Sequence, residues 1–143
     1  MNIGYLIGRL FGNGIAPTVW AMIAVGVLPL LLAMIGKYAG GFRPTHNANP
    51  RAFWAAATGL SARANAAQAN SYESLPLFLA AVLMAMYTFV PQQVVNGLAW
   101  AYVGTRVVFA IAYLGNLPVL RSVAWCASFA CVITLFVVAL RVL

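Results

Sequence analysis

The chain has 143 residues, is 64% hydrophobic, has a mean hydropathy of +0.94, and carries one acidic side chain against eight Lys and Arg. That makeup excludes an ordinary soluble domain and points to a polytopic membrane protein. The net charge of +7 forms no stripe or cluster of the kind nucleic acid requires. Apart from Arg106, the basic residues are scattered among helix ends and loops, where they set orientation in the bilayer.

A glycine-containing stub, residues 1–14, precedes a first apolar segment at about 16–36. That segment is long enough for a span needing ~20 apolar residues, and Pro29 inside it is tolerated as a kink. It is too long for a signal peptide, and no small-residue cleavage site follows it. The one substantial polar stretch, 37–50, gathers Gly40, Gly41, Pro44, Asn47, Asn49 and Pro50 and reads as a loop. His46 stands alone in it, without partner spacing, and reads as solvated. Asn49 is placed to cap a helix with Pro50 in its first turn. The pattern predicts one long second helix over about 51–90, its alanine-rich start lying in water or at the interface, with Pro91 stopping it. A third span is predicted at about 94–114 and a fourth at about 117–142. Short connections make neighbouring helices antiparallel. The expected architecture is a single all-α domain, a bundle of four transmembrane helices. Cys126 and Cys131, five residues apart in the fourth span, face different ways and read as packing residues, not a disulfide or metal pair. No HExxH, CxxC, GxGxxG or GxSxG pattern occurs, so zinc, nucleotide and serine-hydrolase chemistry have no support.

Orientation follows from charge. Lys37, Arg43, Arg51 and Arg63 gather around the first loop and Arg121 flanks the third, whereas the second, 90–96, has no charge. The positive-inside rule puts the first and third loops in the cytoplasm and both termini outside. Arg9 and Arg141 lie on the disfavoured side, outnumbered.

Polar residues inside the spans carry the functional signal. Glu73, the only acid, lies within Asn70-Ser71-Tyr72-Glu73-Ser74-Leu75-Pro76. A charge at a helix centre costs roughly 2.5–3.5 kcal/mol on insertion scales, so it needs a partner. Arg106, in the middle of the third span, is the partner expected, roughly 15 Å along the helix axis from the loop at Asn116. Such a pair has two readings: an interhelical tie that specifies the bundle, or part of a ligand site. Arg63, Asn70 and Glu73 share one helical face with Ala66, and Tyr102, Arg106, Phe109 and Tyr113 form a stripe on the next span. Arg121 and Ser122 open the fourth. Several donors converging near one acid favour a zwitterionic small molecule, its carboxylate clamped by arginine and its amino group held by Glu73.

The run Gln68-Ala69-Asn70-Ser71-Tyr72-Glu73-Ser74-Leu75-Pro76-Leu77-Phe78 resembles the second-helix signature, N-x-x-E-x-x-P-x-F, of the MAPEG superfamily, the membrane-associated proteins in eicosanoid and glutathione metabolism. Asn49-Pro50-Arg51 resembles the entry to that helix in bacterial members. Arg106 to Gly115, followed by Leu120-Arg121-Ser122, resembles the microsomal prostaglandin E synthase branch and the microsomal glutathione transferases. The resemblance implies a homotrimer in a bacterial inner membrane, with glutathione bound between subunits near the cytoplasmic face and lipophilic electrophiles arriving from the lipid. It implies that Asn70, Glu73 and Tyr113 hold the tripeptide, that Arg106 orients Glu73 or its neighbours, and that Arg121 and Ser122 attend the sulfur, a cation favouring the nucleophilic thiolate. No metal is implied. Ala66 replaces an arginine usual in the enzymes, for which Arg63 is the available substitute. Phe109 stands where some members have His or Tyr, and Trp125 where Tyr is frequent. Because the superfamily includes a non-catalytic binding protein, a membrane scaffold or accessory subunit is the alternative reading.

Overall fold

The computed structural model describes residues 14–143, so Arg9 and nearly all of the stub lie outside the described residues. Helix α1 spans Ala16–Ala39, with Pro17 in its first turn and Lys37 in its last, where a cation complements the helix dipole. A 3-10 turn, Pro44–Ala48, leads to a short helix α2, Pro50–Ala55, capped by Asn49, whose Oδ1 accepts the Ala52 N–H at 3.2 Å. Helices α3, α4 and α5 are Gly59–Tyr87, Gln92–Leu114 and Pro118–Val142.

The stretch read from sequence as one second helix is therefore two. The chain breaks at residues 56–58 and restarts at Gly59 with φ +56°, a left-handed conformation open to glycine and costly for most other residues. The break lets α2 fold over the end of α1. Gly36 and Gly40, one turn apart, make that approach possible. A Cβ on Gly36 would meet the Trp54 ring at 2.9 Å, and one on Gly40 would meet Phe53 and Ser61 Oγ at 2.6 Å. Ser61 Oγ also donates to the Gly36 carbonyl at 2.8 Å. His46 is not simply solvated. Its Nδ1 accepts the Arg43 N–H at 2.9 Å, and its ring lies against Phe42 and Phe53.

Four helices, α1, α3, α4 and α5, are long and apolar enough to cross a membrane, and the chain is a multi-pass, all-α membrane protein. Mean hydropathy is 2.4 and 2.5 for α1 and α5 but only 1.2 and 1.4 for α3 and α4. The polar chemistry is thus concentrated in the middle two. Helix α1 packs chiefly on α3, and α4 on α5. The core joins Ala21 and Val25 of α1, Phe78 and Val82 of α3, Ala99 and Tyr102 of α4, and Val132 and Leu135 of α5. The tight α4–α5 turn passes through Asn116 at φ 57°, while the Leu117 N–H returns to the Ala112 carbonyl at 2.8 Å.

Candidate functional site

Arg106 is the largest fully buried side chain, 1% exposed. Its Nη2 donates to Asn70 Oδ1 at 3.0 Å and to Ser71 Oγ at 3.1 Å, and its guanidinium lies 4.3 Å from the Phe109 ring centroid. Nε and Nη1 find no acceptor among the described residues. The ion pair expected between Arg106 and Glu73 is not formed; Glu73 is exposed on the protomer surface. The reason is rotational. At about 100° per residue, Ser71 and Glu73 lie on nearly opposite sides of α3, with Asn70 between them. Arg106 approaches from the Ser71 side. What it controls is Asn70: a guanidinium only donates, so the Asn70 amide oxygen must face Arg106 and its NH2 group is left to point elsewhere.

A ladder of rings carries this stripe of α4 toward the α4–α5 turn. Phe109 and Tyr113 meet edge to face at 5.4 Å, and the Arg121 guanidinium lies over the Tyr113 ring at 4.7 Å. In the other direction Tyr102 stacks on Phe78 at 4.1 Å. Arg121 stands in the first turn of α5, where a cation opposes the helix dipole. Its position therefore costs helix stability and concentrates positive potential. Ser122 is exposed beside it and donates to the Pro118 carbonyl at 3.1 Å.

Two cavities open along the α3–α5 groove. One, about 250 Å³, is lined by Asn70, Phe109, Tyr113, Arg121, Ser122, Trp125 and Cys126. The other, about 200 Å³, is lined by Asn70, Glu73, Ser74, Leu77, Tyr102 and the α5 residues Trp125, Ser128, Phe129 and Val132. They share Asn70 and Trp125, and together they fall within the ~300–1,000 Å³ usual for small-molecule sites. The cation lies at one end and the carboxylate at the other. A larger space of about 600 Å³ beside the α1–α2 loop has His46 as its only titratable lining residue and lacks convergent charges.

Of the residues singled out in the sequence, Asn70, Glu73, Tyr113, Arg121 and Ser122 line this groove. Arg106 stands behind Asn70. Arg63 is directed elsewhere: its Nε donates to the Leu114 carbonyl at 3.0 Å, capping the C-terminus of α4. Sequence reasoning picked out Arg121 and Ser122 but missed the continuation of the α5 wall through Phe129 and Val132. Arg121, Ser122, Trp125, Phe129 and Val132 follow the 3.6-residue period down one face, and Trp125 stacks on Phe129 at 5.5 Å. Cys126, read as packing, is exposed in the Arg121 cavity.

The chain matches the model of the MAPEG family over residues 17–141. It belongs to the MAPEG family. No curated protein matches the chain. The family match covers all four membrane helices, and so both cavities of this MAPEG protein lie within the shared fold.

Proposed function

We propose that this protein is a glutathione-dependent transferase or peroxidase that acts on lipophilic electrophiles, resembling the microsomal glutathione transferase and prostaglandin E synthase members of its family. The observation that carries this reading is the polarity of the α3–α5 groove, with Arg121 at one end, Glu73 at the other and Asn70 shared between. Glutathione offers the complement. Its ammonium pairs with Glu73, its peptide takes hydrogen bonds from the Asn70 NH2 group and Tyr113, and its sulfur lies by Arg121. There the guanidinium and the N-terminus of α5 both favour thiolate, with Ser122 adding a hydroxyl. Arg106 acts by holding the Asn70 amide in one orientation. In the transferase case the thiolate forms a C–S bond to an electrophilic carbon of a substrate that enters from lipid, as that carbon's leaving group departs with its electron pair. In the peroxidase case it attacks the terminal oxygen of a hydroperoxide, and the O–O bond breaks to release the alcohol. A second glutathione then converts the sulfenic acid to disulfide and water. Glutathione is a co-substrate in this scheme, and no metal takes part.

The same reading makes the protein a homotrimer of a bacterial inner membrane, with glutathione bound between subunits. The Arg121 end faces the cytoplasm and both termini face the periplasm, as the loop charges favour. Ala66 and the engagement of Arg63 by Leu114 support a second reading, a non-catalytic membrane scaffold, because they leave a glutathione carboxylate without its usual arginine.

The test is glutathione binding and thiolate absorbance on protein in micelles. Wild type should be stabilised by the ligand and should show thiolate near neutral pH. Arg121→Ala should keep most binding while losing the thiolate signal and roughly 10²–10³ of turnover, the usual scale for a removed charge-stabilising donor. Equal thiolate signals in the two proteins would take Arg121 out of the mechanism. No effect of glutathione on wild type would select the scaffold.

A further inference from the structure

The space of about 600 Å³ beside the α1–α2 loop shares no residue with either groove cavity, and the glutathione reading makes no use of it. Small side chains hollow it out, among them Ala39, Ala48, Ala52 and Ala56. Five polar side chains line it, and hydrogen bonds fix what most of them can offer. His46 Nδ1 accepts the Arg43 N–H at 2.9 Å, so the neutral ring carries its proton on Nε2 and offers a donor there. Asn49 Oδ1 accepts the Ala52 N–H at 3.2 Å, which leaves the Asn49 NH2 group as the free end of that amide. The Thr45 and Thr58 hydroxyls make no hydrogen bond among the described residues. Only Ser61 has spent its proton, on the Gly36 carbonyl.

The charges around the recess agree with its donors. No acidic side chain precedes Glu73 in the chain, whereas Lys37, Arg43 and Arg51 all fall in this stretch. The Lys37 ammonium stands 4.5 Å from the Phe42 ring centroid, and Phe42 meets both His46 and Phe53, two of the lining rings. Arg43 is bonded to His46 through its backbone, and Arg51 adjoins Ala52. Donors ringed by cations favour an anion. The level of the recess narrows the choice. Tyr38, Phe42, Phe53 and Trp54 gather just beyond the end of α1, as aromatic residues do at a bilayer interface. Leu31, Ile35 and Ala39 follow one another on one face of α1, the first two exposed and the third in the recess wall. An apolar track thus leads from the hydrocarbon to the donors.

We propose that this recess binds the headgroup of an anionic phospholipid, with an acyl chain lying along Leu31 and Ile35. The phosphate takes hydrogen bonds from His46, Asn49 and the two threonines, while Lys37, Arg43 and Arg51 supply the surrounding positive field. A zwitterionic headgroup is disfavoured, because its ammonium would enter the same field with no carboxylate to meet it. The inference stands apart from the glutathione reading, since the two share no residue.

Calorimetry on the whole protein in uncharged micelles compares dioctanoyl phosphatidylglycerol, dioctanoyl phosphatidylcholine and glycerol phosphate, with protein-free micelles subtracted to remove partitioning. Wild type should bind phosphatidylglycerol saturably, at least about tenfold more tightly than either of the others. Asn49→Asp keeps an oxygen to cap α2 but turns the donor into an anion, and should erase the preference. Thr45→Asp, which has no hydrogen bond to lose, should do the same. Arg141→Gln lowers the net charge equally, at the far end of α5, and should leave the preference intact. Equal affinity for the two lipids, a preference that survives either aspartate, or one lost equally in Arg141→Gln would overturn the proposal. So would glycerol phosphate binding as tightly as the lipid, which would assign the recess to a soluble phosphate ester.

Discussion

Two buried polar clusters among the described residues differ in how completely they are satisfied. At one end, Thr18 donates to Asn96 Oδ1, Gln92 Nε2 donates to both Thr18 Oγ1 at 2.9 Å and Asn96 Oδ1 at 3.0 Å, and Asn96 Nδ2 donates to the Gly14 carbonyl at 3.1 Å. Beside them the Trp100 indole donates to the Pro17 carbonyl at 3.1 Å. All these groups are neutral, and Thr18, Gln92 and Asn96 are joined into one network between α1 and α4. At mid-bundle, Arg106 brings a full charge, two acceptors and two donor nitrogens left over. The first cluster has the form of a fastener. The second is too expensive to be one, since buried charges rarely repay their desolvation in stability. An unsatisfied buried group in a native fold calls for a reason, and the nearest is the orientation of Asn70 in the groove.

That contrast can be broken by substitution. The largest effect should come from Asn70→Leu, which strips Arg106 of one of its two acceptors and should cost about 2–3 kcal/mol, the upper scale for a lost hydrogen bond to a buried charge. Unfolding in mixed micelles measures it. Arg106→Met should by contrast be neutral or stabilising, and in the double variant it should rescue most of the Asn70→Leu loss. Strong destabilisation by Arg106→Met alone would make the guanidinium a fastener after all.

A smaller loss, about 1–2 kcal/mol, is expected for Asn96→Leu, in keeping with neutral interhelical hydrogen bonds in lipid. Glutathione affinity measured on the same preparation should not change, because this cluster joins α1 to α4 and lines neither cavity. Smallest of all is the coupling of Glu73→Gln to Arg106→Met in a double-mutant cycle, which should be near zero. A coupling above about 1 kcal/mol would show that the two charges do meet.

The spans were legible because hydropathy over ~20 residues is a strong signal, and the third and fourth were expected within two residues of α4 and α5. The break at 56–58 was not, since the alanine-rich sequence around it favours helix and nothing local announces the left-handed Gly59. The stripe from Tyr102 to Tyr113 was readable from spacing alone and reappears as the ring ladder. Spacing could not tell from which side Arg106 would approach Asn70, and so an acid and a base on adjacent helices were paired by elimination. The lower part of the α5 wall, beyond Trp125, was hidden for a different reason. Lipid-facing and groove-facing positions are both apolar there, and Phe129 and Val132 carry no contrast against their neighbours.

The lengths of the helices have a consequence for how two kinds of molecule could meet here. Helix α3 has 29 residues, roughly 43 Å at 1.5 Å per residue, against a hydrocarbon core of about 30 Å. If that excess lies at its first turns, which Arg63 ties to the end of α4 near Tyr113 and Arg121, those turns stand in the headgroup layer. A groove that starts at Arg121 and ends at Glu73 begins among hydrated headgroups and finishes among acyl chains. A solute confined to water and one dissolved in the bilayer could reach the same few side chains from opposite directions, and neither would have to leave its own phase.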